Sequence, residues 1–221
     1  GDLKEFWHTG PELPEGHPYR AEYPNNVWPE ELPELKPIMT KLYADLQTTA
    51  EIMLEALGEY FGLPKETFRD MVKDGNSIIR SIHYPPLEEG MDPRAVRAAG
   101  HEDINMITLL CEATEAGLEI LTHDGEWVGV SALSGQIVVD AGDMLSRVTN
   151  EVIPSTTHRV VNPQDGRNVS RYSMPFFVHP YSSCDLSILD RFVDEENPPK
   201  FPPITAGAFL EQRLREIGLL K

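Results

Sequence analysis

The stretch GHEDINMITLL, residues 100–110, places a histidine and an aspartate two positions apart in a mostly apolar run. Side chains alternate between the faces of a strand, so His101 and Asp103 are predicted to share a face, with Glu102 opposite. Both types ligate metals, and together they make two-thirds of a three-ligand site. A third ligand is sought among the other histidines, His8, His17, His83, His123, His158 and His179. His8 and His17 lie in a proline-rich N-terminal segment, His123 abuts a hairpin turn, and His179 precedes Pro180. His158, inside STTHRVVN, is flanked by β-branched residues and is the best candidate on position. Two histidines and one carboxylate form a facial triad suited to non-haem Fe(II). Zinc hydrolases use the same ligand types, but their usual helical H-E-x-x-H is absent. An ordinary hydrogen-bonded His101–Asp103 pair is the alternative at this point.

A second pair stands in SRYSMPFF, residues 170–177, where Arg171 and Ser173 share strand parity. An inward arginine requires an anionic partner, because a buried unpaired charge is costly. A bound carboxylate would meet the guanidinium bidentately, with the serine hydroxyl adding a hydrogen bond. A structural salt bridge to one of the chain's acidic residues is the alternative.

Such residues need rigid elements to hold them. PIMTKLYADLQTTAEIMLEALGEYFG, residues 37–62, has apolar residues at helical spacing and a glycine stop. PKETFRDMVK predicts a shorter helix. From residue 77 the period shortens: SIIRSIHY, MITLLCEA, GLEILTH, EWVGVSA, QIVVDAGD, TTHRVVNP and SRYSMPFFVHP read as strands. HDGEW signals an Asp-Gly hairpin, and SGQ and PQDGRN read as further turns. Seven or eight short strands predict a sandwich or barrel. A helix returns in ITAGAFLEQRLREIGLL. Residues 1–35 read as an irregular arm anchored by Trp7, Tyr19, Tyr23 and Trp28. Trp127, Phe176 and Phe177 read as core or pocket wall, Cys111 as a packed strand residue, and Asp140 and Asp143 as turn or strand-end groups. Asn150 and Ser155 read as satisfying turn backbone.

Composition narrows the function. The chain has 221 residues, room for one sizeable core and one or two domains, and a formal net charge of −17. That charge repels nucleic acid. No apolar run approaches the roughly 18 residues of a membrane span. Two cysteines do not make a disulfide framework, and GDLKEFWHTG lacks a signal-peptide core. A reducing cytoplasm is the expected home.

These residues resemble a family. H-x-D, a histidine in H-R-V some 55 residues later, then R-x-S before a proline-aromatic strand end, are similar to the Fe(II)- and 2-oxoglutarate-dependent dioxygenases, nearest the isopenicillin N synthase-like branch. HYPP (83–86), GQIVVDAGDMLSRVTN (135–150) and STTHRVVNP (155–163) support the likeness. It implies a mostly β core with flanking helices, a double-stranded β-helix (jelly roll, cupin-like). The implied layout is an N-terminal arm with supporting helices (1–76), the jelly-roll core (77–180), and a C-terminal loop and helix (181–221).

The resemblance further implies Fe(II) on His101, Asp103 and His158, with O2 and 2-oxoglutarate as co-substrates. Arg171 and Ser173 would hold the distal carboxylate and Tyr84 would line the pocket. The implied reaction decarboxylates 2-oxoglutarate to succinate and oxidises a C–H bond of a small molecule, by hydroxylation or desaturation. The alternatives are an isopenicillin N synthase-like Fe(II) oxidase that does not use 2-oxoglutarate, or an inactive jelly-roll fragment. Ile82 stands where many members carry a co-substrate-binding asparagine. Members also carry a longer N-terminal region, which implies a substrate face left open or covered by a second copy in a homodimer.

Overall fold

The computed structural model describes residues 2–92, 94–130, 135–163 and 168–220. Two antiparallel sheets face one another. The larger contains β1 (Glu5–Thr9), β2 (Ile78–Tyr84), β10 (Pro175–Val178), β4 (Ile107–Leu110) and β7 (Val138–Ala141) in that order, with β9 (Arg171–Ser173) also paired to β2. The smaller runs β3 (Ala98–His101), β8 (His158–Val160), β5 (Leu118–Leu121) and β6 (Trp127–Gly129). Helices α1 (Leu35–Tyr60), α2 (Glu66–Val72), α3 (Asp143–Val148) and α4 (Ala206–Glu216) flank them.

Parity decides what each face of the larger sheet does. Phe176 pairs with Ile79 and with Leu109, and Leu109 pairs with Val139. Directly opposed residues share a face, so this row forms the outer surface. It packs on α1, whose buried Met39, Leu46, Ala50, Leu54 and Gly58 recur at helical spacing. Tyr43 meets Phe176 edge to face at 5.1 Å. The other parity carries Arg80, Ile82 and Tyr84, with Arg171 opposite Tyr84 and Ser173 opposite Ile82. That inner face looks toward the smaller sheet. There Ile82, Tyr84, Ala98 and Val160 form a second, smaller buried cluster.

Helix α1 ends as its sequence demands. Gly62 has φ +69°, and the amides of Gly62 and Leu63 donate back to the carbonyls of Glu59 and Gly58. This is a Schellman closure, and glycine adopts its left-handed residue at least cost. The Asp-Gly hairpin joins β5 to β6, with Gly125 at φ +82°.

Three expectations need correction. Residues 5–9 are not irregular: they form β1, paired with β2 over five positions from Glu5↔His83 to Thr9↔Ile79. Of the four expected anchors, Tyr23 is buried, Trp28 is packed against the core, Tyr19 is half-buried and stacked on Tyr23 and Tyr181, and only Trp7 stays exposed. Residues 143–148 form α3 rather than a turn. Residues 131–132 of EWVGVSA, Ser134 of the SGQ turn and residues 164–167 of the PQDGRN turn lie outside the described residues. Among the described residues no helix is long and apolar enough to cross a membrane.

Candidate metal and co-substrate site

His101, Asp103 and His158 offer ligand atoms that all lie within 4.8 Å of one another. The two histidines face each other across a ladder, because His101 pairs with His158 between β3 and β8, and their ring centroids are 4.4 Å apart. A bulge makes this possible. Ala98 pairs with Val160, three residues before His101, whereas Val160 is only two from His158. One extra residue in β3 therefore restores His101 to the inner face, where uninterrupted alternation would turn it outward. Gly100 lies in that bulge, where a Cβ would come within 3.3 Å of the Trp127 ring.

Asp103 is not on the strand. β3 ends at His101, and the aspartate sits in the connection to β4. The shared-strand-face expectation is thus corrected, although the three side chains do converge. The connection is pinned to the start of α3. The amide of Asp143 donates to the Asp103 carbonyl at 2.8 Å, and that of Met144 to the Asn105 carbonyl at 3.0 Å. Gly142 permits this approach, since a Cβ there would lie 2.4 Å from the Asn105 carbonyl and 2.8 Å from that of Asp103.

Within the three groups the atoms not turned toward one another are committed. Nδ1 of His101 lies 2.8 Å from the Ala99 carbonyl and Nδ1 of His158 3.1 Å from that of Thr156. A carbonyl only accepts, so each ring carries its proton on Nδ1 and offers the Nε2 lone pair. The Thr108 hydroxyl donates to Asp103 Oδ2 and accepts from Asn105 Nδ2 at 2.9 Å. Asp103 Oδ1 is left facing the two Nε2 atoms at 3.9 and 4.0 Å. These distances exceed a hydrogen bond, so a simple His101–Asp103 hydrogen-bonded pair does not describe the cluster. Burial, reinforced by His158, lowers the His101 pKa. The arrangement suits a divalent cation of intermediate softness.

The same cavity is lined by Tyr84, Arg171 and Ser173. Arg171 is 2% exposed. Its Nε donates to the Glu115 carbonyl at 3.0 Å and its guanidinium stacks 5.1 Å from the Tyr84 ring centre. Nη1 is buried with no acceptor. The expected alternative, a structural salt bridge, is not found for Arg171 among the described residues. Burial depresses its pKa, yet a guanidinium stays charged. A buried cation with an unused donor, in the cavity of the His–Asp–His cluster, fits the carboxylate of a bound keto acid. Ile82 lines the cavity too and offers no hydrogen bond.

Three inner-face residues escaped the sequence reading. Asp140, expected as a turn or strand-end group, lies on β7 directly across from Thr108 and lines the cavity. Burial and the Asp103 charge raise its pKa to about 7. Arg80 lines the cavity two residues before Ile82, and Thr108 braces Asp103. Their signal was parity: Arg80 and Tyr84 are i and i+4 on one strand. Phe176 is core and Phe177 is cavity wall, within the expected pair of roles.

Residues 75–180 match the 2OG-Fe(II) oxygenase superfamily. A crystal structure of a 2OG-Fe(II) oxygenase family protein from Caulobacter crescentus is 48% identical, with a TM-score of 0.90, and the match covers 98% of this chain and 70% of that one. The chain belongs to the 2OG-Fe(II) oxygenase superfamily. The full-length Neurospora crassa protein crystallised with α-KG and thymine is similar at 30% identity and a TM-score of 0.87, over 98% of this chain and 66% of that one. A 2-oxoglutarate-Fe(II) type oxidoreductase of Aspergillus fumigatus is 31% identical over 97% of this chain and 65% of its own length. The chain spans 60–65% of the length of three such fungal relatives. The jelly-roll core of this superfamily is the two-sheet architecture described above.

Proposed function

We propose that this chain carries the catalytic core of an Fe(II)- and 2-oxoglutarate-dependent oxygenase acting on a small molecule in the cytoplasm. The observation that carries the reading is the buried, unpartnered Nη1 of Arg171 in the same cavity as the His101–Asp103–His158 cluster. His101, Asp103 and His158 would hold Fe(II), which supplies the activation of O2. Arg171 and Ser173 would grip the distal carboxylate of 2-oxoglutarate, and Tyr84 would stack beside the guanidinium. In balance, 2-oxoglutarate, O2 and R–H give succinate, CO2 and R–OH, each product acid or alcohol taking one oxygen atom. Desaturation would release water in place of the alcohol.

The chain's own residues supply positioning. Two backbone carbonyls fix the imidazole tautomers and Thr108 fixes the carboxylate rotamer, so the ligands are oriented before the metal arrives. Apolar walls from Ile82, Leu118, Val160 and Phe177 limit water. His101 remains 43% exposed, which leaves an approach for a substrate. Relatives include a protein crystallised with thymine, which supports a small-molecule substrate. Two free cysteines support a reducing compartment.

The test is turnover of 2-oxoglutarate by the Fe(II)-loaded chain, followed as succinate. Wild type is expected to form succinate and Arg171→Ala to form almost none at the same co-substrate concentration. Oxygen consumption without succinate, with the true substrate present, would favour an oxidase that does not use 2-oxoglutarate.

A further inference from the structure

The cavity holds a second arginine that the co-substrate reading does not use. Arg80 is on β2, on the inner face with Ile82 and Tyr84, and lines the cavity with the histidine–aspartate cluster. Its guanidinium lies over two aromatic rings, 4.8 Å from the centre of Phe6 and 4.8 Å from that of Phe177. Its Nε donates to His8 Nε2 at 2.8 Å. The β1–β2 register sets this up, because His8 pairs with Arg80 and Phe6 with Ile82, so Phe6 and His8 share the inner face.

This setting is built for a cation. Burial together with the adjacent guanidinium drives the His8 pKa down to about 4, so His8 is a neutral acceptor near pH 7 and adds no competing charge. Both ring faces stabilise the guanidinium. With Nε used, Nη1 and Nη2 remain, a two-donor edge that matches a carboxylate. Among the described residues no carboxylate forms an ion pair with Arg80. Asp103 acts on it only through longer-range attraction, and in the proposed function that carboxylate is committed to the metal. Desolvation without an ion-pair partner is costly, and an incoming anion removes the cost. Lys4, which also lines the cavity, is already paired with Asp2 at 2.8 Å.

We propose that Arg80 anchors a carboxylate of the primary substrate, which makes that substrate an organic acid with an apolar or aromatic body beside Phe6 and Phe177. The inference rests on the oxygenase reading only for the word substrate; the anion subsite stands on Arg80 itself. Arg80 and Arg171 then divide the two acids between them, the primary substrate on one and 2-oxoglutarate on the other.

The experiment is calorimetric titration of the full chain, loaded with Mn(II) and 2-oxoglutarate, with benzoate, phenylacetate and hexanoate, each against its uncharged amide. At least one acid is expected to bind more tightly than its amide. Arg80→Gln should lose about thirty-fold or more of that acid's affinity while 2-oxoglutarate affinity stays near the wild-type value. Arg80→Lys should fall between the two, and circular dichroism checks that each variant is folded. The proposal is overturned if no acid binds better than its amide. It is equally overturned if Arg80→Gln binds the acid as wild type does, or if it loses 2-oxoglutarate instead. Failure of wild type to bind 2-oxoglutarate, with acid binding intact and dependent on Arg80, would count against the oxygenase reading and leave the anion subsite standing.

Discussion

The two ends of the cavity are organised in opposite ways. At the His–Asp–His end the second polar atom of each of the three side chains already has a partner: both Nδ1 atoms are bonded to backbone carbonyls, and Asp103 Oδ2 to Thr108. Of these three side chains, only His101 Nε2, His158 Nε2 and Asp103 Oδ1 are left facing one another. At the Arg171 end a charged donor is buried and unmatched. The first arrangement is preorganised, each of the three side chains being held by a hydrogen bond of its own. The second holds desolvation cost in the ligand-free fold, which a carboxylate at Arg171 would offset. The contrast teaches that a site can be prepared either by satisfying the surroundings of its ligands or by leaving a need unmet. Predictions follow from trying to break each end.

The largest effect is expected at the metal end. His158→Ala removes one of the three proposed ligands and should abolish stoichiometric Fe(II) binding, measured anaerobically by titration and metal analysis. Thermal stability of the metal-free chain should change little, because the ring is only a cross-strand partner there. Unchanged metal affinity would remove His158 from the site.

At the other end, substitution should act in two directions at once. Arg171→Met should weaken 2-oxoglutarate binding by an amount on the order of 2–5 kcal/mol, roughly thirty-fold to several thousand-fold. The same change should stabilise the ligand-free protein by about 1–3 kcal/mol in urea unfolding, because it deletes an unpaired buried charge. A destabilised variant would mean that Arg171 is structural and that the contrast between the two ends is wrong.

The smallest effect sharpens the comparison between them. Asp140 has no partner for Oδ1, and its pKa is raised from the ordinary 3.8 to about 7 by burial and by Asp103. A carboxyl whose folded pKa lies above its unfolded value loses stability as pH rises between the two. Asp140→Asn should therefore stabilise the metal-free protein relative to wild type at about pH 8, by on the order of 1 kcal/mol, and have little effect at about pH 4. A bound cation nearby should shrink the difference by favouring the ionised form. Equal effects at both pH values would contradict this.

Sequence patterning exposed the site unevenly. His158 and Val160 keep clean alternation, so the inward face of β8 was legible. Arg171, Ser173 and Tyr84 likewise follow period two and meet across one ladder. His101 and Asp103 converge as expected but not by the expected route, since a bulge resets β3 and the aspartate lies beyond the strand. Bulges and strand ends break the very period from which faces are read. β1 was hidden because EFWHT lies next to a proline-rich run, and its pairing partner is distant in sequence, from Glu5↔His83 to Thr9↔Ile79. Helix α3 has only six residues, too short for helical periodicity to register. Arg80 was legible by parity, but nothing in the sequence reveals that Phe6, His8 and Phe177 gather around it. Those contacts depend on register between distant strands, which local pattern does not specify.

The central claim is that one cavity holds a metal on His101, Asp103 and His158 and a keto acid on Arg171. Anaerobic titration of the chain with Fe(II) and then 2-oxoglutarate tests it most directly, by the visible metal-to-ligand charge-transfer band of a keto acid chelated to Fe(II). The account predicts a saturable band at one Fe(II) per chain. It should be absent in His158→Ala, and in Arg171→Met it should need far more 2-oxoglutarate. No band in wild type, or a band indifferent to both substitutions, would contradict it.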